Sequence, residues 1–164
     1  MARLRSAVAY EGPIEIAIQR FKYRGWRRLA RPLALLLAER LVVEGLAASW
    51  ALAVPLHPER ARARGFNQSE LLVRELKARV ALEGPPGDLV RIRATPPQVG
   101  HDRLWRHHNV SGAFEWRGPH LGGRSILVVD DVATTGATLD ACAAALRAAG
   151  SGPVIGAAVA RVSG

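Results

Sequence analysis

Residues 125–139 read SILVVDDVATTGATL. Ile126, Leu127, Val128 and Val129 form an uninterrupted apolar run, the pattern of a strand buried on both faces of a parallel sheet. The spacing predicts a strand over 125–129 that ends by placing Asp130 and Asp131 at its carboxyl edge, where open α/β sheets bind ligands. A helix from Thr138 to Ala149, closed by Gly150, should follow. The loop between them offers backbone N–H groups and the positive end of a helix dipole to an anion. Thr134, Thr135 and Thr138 add hydroxyls, and Gly136 lets the backbone approach a phosphate closely. Two carboxylates repel a phosphate but accept hydrogen bonds from the vicinal hydroxyls of a ribose, so the stretch reads as a sugar grip beside a 5-phosphate cradle.

The chain has 164 residues, enough for one three-layer core and too few for two full domains. It is 49% hydrophobic and 23% charged, a globular composition, and only 5% aromatic, so Leu, Val and Ala must build the core. The net charge of +9 comes almost entirely from arginine, which binds phosphate in bidentate fashion and makes polyanions plausible partners. A single cysteine, Cys142, excludes an internal disulfide and a multi-cysteine zinc site. Its helical spacing with Leu139 and Leu146 marks it as a small core residue. No long apolar stretch or signal-peptide core is present, so the expected location is cytoplasmic, with no membrane span.

Outward from that stretch, the apolar positions of Ile14, Ala17, Ile18 and Phe21 predict a helix opened by Gly12 and Pro13. A second helix starts near Pro32 and runs toward Gly45. Ala51 to Val54 reads as a short buried strand ending in the stiff turn Leu56, His57 and Pro58. Arg60 to Gln68 follows as a basic loop, in which Arg60, Arg62 and Arg64 suit a diphosphate or a nucleic-acid backbone. Asn67 and Glu70 have the spacing of a helix cap and its reciprocal partner, and Leu72, Leu76 and Val80 line the helix they open. Leu89–Ile92 reads as a strand, Ala113–Trp116 as an edge strand and Val154–Val159 as a further buried strand. The alternation of strands and helices predicts an α/β fold with a mostly parallel central sheet and helices on both faces.

Tyr10–Gly25 (YEGPIEIAIQRFKYRG), Val54–Ser69 (VPLHPERARARGFNQS), Thr95–Gln98, Arg106–Phe114 (RHHNVSGAF) and Ile126–Leu139 together resemble the ComF family, the phosphoribosyltransferase-like proteins of bacterial competence. The last stretch is similar to the phosphoribosyl pyrophosphate motif of type I phosphoribosyltransferases. The resemblance implies a single phosphoribosyltransferase-like domain over 1–164, with a small helical hood over 1–45 and a core over 46–164. It implies that Asp130 and Asp131 hold ribose hydroxyls while Val132, Ala133, Thr134, Thr135, Gly136, Ala137 and Thr138 wrap the 5-phosphate. By position, Leu56, His57 and Pro58 would bind pyrophosphate. Arg64, Asn67 and Gln68 would stand beside them, and Gln98, Arg103 and Arg106 would belong to a flexible loop closing over the sugar. Mg2+ would be held largely by ligand oxygens, with no direct protein ligand. The family's cysteine-rich zinc ribbon has no counterpart here, since no pair of Cys precedes Tyr10.

The residues leave two functions open. One is a phosphoribosyltransferase, or a protein that keeps its ligand site, with no acceptor base indicated. The other is a non-catalytic accessory that binds single-stranded DNA during transformation. For the second, Lys22, Tyr23, Arg24, Trp26, Arg27 and Arg28 interleave cations with aromatics, a composition suited to stacking and phosphate contact. The family resemblance further implies a role in DNA uptake, with a competence helicase and a recombination mediator as partners.

Overall fold

The computed structural model describes residues 3–94 and 110–162. Its elements are β1 (Arg3–Ala9), α1 (Gly12–Tyr23), a 3-10 turn (Arg27–Leu29), α2 (Ala30–Val43), β2 (Trp50–Ala53), α3 (Pro58–Arg64), α4 (Gln68–Lys77), β3 (Asp88–Arg91), β4 (Phe114–Arg117), β5 (Ile126–Ala133), α5 (Ala137–Ala148) and β6 (Val154–Arg161). Four strands form a parallel sheet in the order β1-β6-β5-β2. Helices cover both faces, which makes the fold the expected three-layer α/β architecture.

The apolar run of β5 feeds both layers because side chains alternate along a strand. Leu127 and Val129 pack with Phe21, Leu37, Leu72 and Leu76 from α1, α2 and α4. Ile126 and Val128 pack with Leu139, Cys142 and Leu146 of α5 and with Phe114 of β4. β6 contributes small residues where α5 comes close. A side-chain carbon added at Gly156 would stand 3.1 Å from Leu139 Cδ1.

Several elements differ from the sequence reading. The segment expected as a purely helical hood begins with β1, which pairs with β6 at one edge of the main sheet. The expected edge strand, β4, instead pairs antiparallel with β3 in a separate two-stranded ribbon. The basic loop after β2 is largely the helix α3, started by Pro58 and closed by Gly65 at φ 76°, a left-handed conformation that favours glycine. β5 does not stop before the acids: it continues through Asp130 to Ala133, held by pairing of Asp130 with Ala158 and Val132 with Ala160. Among the described residues no helix is long and apolar enough to cross a membrane.

Asn67 ties α4 to the sheet. Its Oδ1 accepts the Ser69 N–H at 3.0 Å, capping the helix, while its Nδ2 donates to the Val54 carbonyl at 3.1 Å and to Glu70 Oε1 at 3.2 Å. Val54 in turn donates its N–H to the Val129 carbonyl at 2.9 Å. Asn67→Ala removes the cap and leaves a buried carbonyl unpaired, so a loss of about 2 kcal/mol is expected, read from the urea unfolding midpoint. An unchanged midpoint would show that this junction contributes nothing.

Candidate functional site

At the carboxyl edge of the sheet, two adjoining cavities share Lys22, Asp130, Val132 and Thr138. The smaller, about 180 Å³, is formed by Val132 and Ala133 from the end of β5 and by the loop and first turn of α5. Gly136 takes φ 83° there, and the Thr135 hydroxyl accepts the Ala137 N–H at 3.4 Å. All of Val132 to Thr138, the stretch expected to wrap a phosphate, lines this cavity.

The larger cavity, about 250 Å³, lies toward β2, α3 and α4. Arg60 and Arg64 reach it from α3, and Arg91 from β3. Burial, followed by repulsion from Arg60, lowers the pKa of Arg91. Gln68 also lines this lobe at 2% exposure, and among the described residues its Nε2 has no hydrogen-bond partner. A buried amide donor left unsatisfied is costly, and a ligand acceptor would satisfy it.

The two carboxylates occupy different surroundings. Asp131 is 5% exposed and its Oδ1 lies 2.9 Å from Lys22 Nζ. Burial by itself would lower the pKa of Lys22, but the charges of Asp131 and Asp130 outweigh it and the ammonium titrates above its ordinary value. Asp130 is half-buried and accepts hydrogen bonds on Oδ1 from Ser69 Oγ at 3.2 Å and from the Asp131 N–H at 2.9 Å. Burial, then repulsion from Asp131, raises its carboxyl to about 7 in spite of the nearby Lys22.

Among known proteins, the chain is 31% identical over 142 residues to the DNA utilization protein YhgH of Salmonella typhi, covering 84% of this chain and 62% of that protein. It is 33% identical over 148 residues to competence protein F of Haemophilus influenzae, covering 86% of this chain and 65% of that protein. The chain is similar to proteins named for DNA utilization and for competence. No family model matches it. It spans between 62% and 65% of the length of these relatives.

The residues expected at the site separate into groups. Asp130, Asp131, Leu56, Arg64 and Gln68 all line the larger cavity, with Lys22 and Tyr23 beside them. His57 and Pro58 do not line either cavity. They begin α3, where His57 Nδ1 lies 3.6 Å from the Glu59 carboxylate. Asn67 acts from behind, as the junction already described. Gln98, Arg103 and Arg106 lie outside the described residues.

The basic and aromatic run divides in the same way. Lys22 turns inward to Asp131. Arg27 donates to the Gly65 carbonyl at 3.0 Å and stacks 4.9 Å from the Phe66 ring, fastening the 3-10 turn to the α3–α4 junction. Arg20 and Arg28 each lie 5.0 Å from the Trp26 ring centre. Tyr23 stays 75% exposed, with Arg64 at 5.3 Å, and Arg24 is exposed beside it. Sequence reasoning missed Ser69 and Arg91. Ser69 stood in plain view one position beyond Gln68, whereas no local pattern singles out Arg91.

The raised Asp130 carboxyl has a consequence for stability. An unfolded carboxyl ionises near its ordinary 3.8, whereas the folded group keeps its proton to about 7. Folding is therefore favoured at low pH by this group, and that contribution is lost as pH rises between those two values. Asp130→Asn has no such loss. Its melting temperature relative to the parent is expected to rise from about pH 5 to about pH 8. A constant difference across that range would show that Asp130 titrates as an ordinary surface acid.

Proposed function

We propose that this chain binds phosphoribosyl pyrophosphate or a related ribose 5-phosphate ester, and that it serves DNA utilization or competence as the names of its relatives indicate. The observation that carries the ligand is the shared wall: Asp130 lines both the hydroxyl-rich loop cavity and the cationic cavity next to it. A 5-phosphate fits the loop at the start of α5. A sugar hydroxyl fits Asp130, and an anionic group on the far side of the sugar fits Arg60, Arg64, Arg91 and the Gln68 amide.

Among the described residues no three His, Cys, Asp or Glu side chains gather to hold a metal ion. Mg2+ would accordingly arrive on the oxygens of the diphosphate, with no direct protein ligand. When bound, it would neutralise charge on a departing diphosphate. The arginines would act on that same charge, and the half-buried setting of the site would strengthen their effect. A competence helicase and a recombination mediator are the partners that belong with this role.

The exposed Tyr23, which lines the larger cavity with Arg64 5.3 Å from its ring, favours a second reading, direct contact with single-stranded DNA. Trp26 is less suited to stacking on a base, because two guanidinium groups already lie against it.

Calorimetric titration separates these readings. The parent chain is expected to bind phosphoribosyl pyrophosphate in the presence of Mg2+, and Asp130→Asn to weaken it about tenfold or more while melting cooperatively. Equal affinity in the variant would remove the sugar-phosphate assignment. For the second reading, a single-stranded oligonucleotide should bind with an affinity that falls steeply with salt and falls again in Tyr23→Ala. Absence of binding at low salt would eliminate direct DNA contact.

A further inference from the structure

The two acids at the carboxyl edge of β5 pose a charge problem for any sugar they hold. Hydroxyls are gripped most strongly by ionised carboxylates, because a charge-assisted hydrogen bond is about twice as strong as a neutral one. Two adjacent carboxylates in a partly buried site resist being ionised together, and a phosphate in the neighbouring loop adds to the repulsion. A fixed cation against the pair is the physical remedy, and its effect is greater where water is largely excluded.

Lys22 occupies that position. Its Nζ lies 2.9 Å from Asp131 Oδ1, its side chain is 22% exposed, and it lines both the loop cavity and the cationic cavity. Phe21, its neighbour on α1, is fully buried with its ring 5.9 Å from Phe66, which fixes the end of the helix that carries Lys22. On each acid the oxygen engaged within the fold is Oδ1, by Lys22 on Asp131 and by Ser69 and the Asp131 N–H on Asp130. The other titratable groups around the pair are of different kinds. Arg60 and Arg64 of α3 and Arg91 of β3 line the cationic cavity, as does the Tyr23 phenol beside Lys22 on α1. Burial pushes the Cys142 thiol of α5 well above its ordinary range, so it stays neutral. Lys22 is the cation whose charge favours ionised Asp130, against burial and against Asp131.

We infer that Lys22 is a positioning residue for the sugar: it holds Asp131 in place and supplies the positive charge that lets both acids meet the sugar hydroxyls as carboxylates. This rests on the reading of the site as a sugar-phosphate pocket. The sign of the effect follows from the surroundings of Asp130. Its carboxyl ionises at about 7 with Lys22 present, and without that attraction it would keep its proton to a higher pH. Loss of Lys22 should therefore weaken the grip on the sugar near neutral pH and spare it at alkaline pH. A lysine that merely attracted phosphate would show no such selectivity for the sugar.

The test compares ribose 5-phosphate with inorganic phosphate by calorimetric titration, using the parent chain, Lys22→Met and Lys22→Arg. At about pH 8 the parent should bind the sugar phosphate about tenfold or more tighter than phosphate, and Lys22→Arg, which keeps the charge, should preserve that ratio. In Lys22→Met the ratio should shrink severalfold and recover toward pH 9 to 10. Carboxyl-carbon NMR of the unliganded chain should show the Asp130 midpoint moved upward by about one pH unit or more in Lys22→Met and little changed in Lys22→Arg. An equal loss for both ligands at every pH, or an unmoved Asp130 midpoint, would overturn the inference while leaving the sugar-phosphate site intact. A parent chain that does not favour ribose 5-phosphate over phosphate would instead remove the pocket reading, and this inference with it. If Lys22→Met fails to fold, Lys22→Gln, which keeps an N–H donor without the charge, takes its place. Failure of both to fold would assign Lys22 to the fold alone and overturn the inference.

Discussion

Two adjacent carboxylates carried by a buried strand must each be answered by a partner, and the way they are answered organises this molecule. An ionised side chain in an apolar interior is tolerated only when paired or hydrogen-bonded, or when it keeps its proton. All three solutions are used within two residues of β5. Asp131 takes Lys22 from α1, Asp130 takes the Ser69 hydroxyl from α4, and Asp130 also holds its proton into the neutral range. The partners come from helices far from β5 in sequence. The positions of α1 and α4 on one face of the sheet are therefore tied to the chemistry at its edge as well as to the apolar surfaces of Phe21, Leu72 and Leu76.

Much of the architecture was legible because hydrophobic periodicity reports burial directly. The uninterrupted run Ile126–Val129, the spaced apolar residues of α1 and the Asn67–Glu70 cap each led to the element observed. Strand β1 was missed because Arg3, Arg5 and Ser6 break up its apolar character, and only pairing with β6 makes it a strand. The continuation of β5 through its acids was missed because aspartate disfavours strands. There the ladder to β6 overrides local preference. Helix α3 was misread through its arginines, although Pro58 and Gly65 mark its two ends.

The site was legible to the extent that it is contiguous in sequence. Asp130 to Thr138 is a single stretch, and its proposed role as a cradle rests on residue type and order. What escaped was long-range: the same run of cations that invited a nucleic-acid reading includes Lys22, which faces inward, and Arg27, which fastens one turn to another. Composition cannot distinguish an arginine that faces solvent from one that stacks on Phe66. Arg91 escaped for a related reason, since it reaches the cavity through the β3–β4 ribbon, whose place is set by packing on α5.

The pairing of β1 with β6 joins the first strand of the sheet to the last. Such a contact has the greatest sequence separation the fold can offer, and its loop-closure entropy is met before any reward is gained. During synthesis, β1 and the helix that follows it emerge long before β6 exists to receive them. The sheet's β1 edge is thus completed only once β6 has been made. Lys22, on the helix that follows β1, meets Asp131 only once β5 has been made, so the cavity they share with α3 and α4 is assembled late, by residues from both halves of the chain.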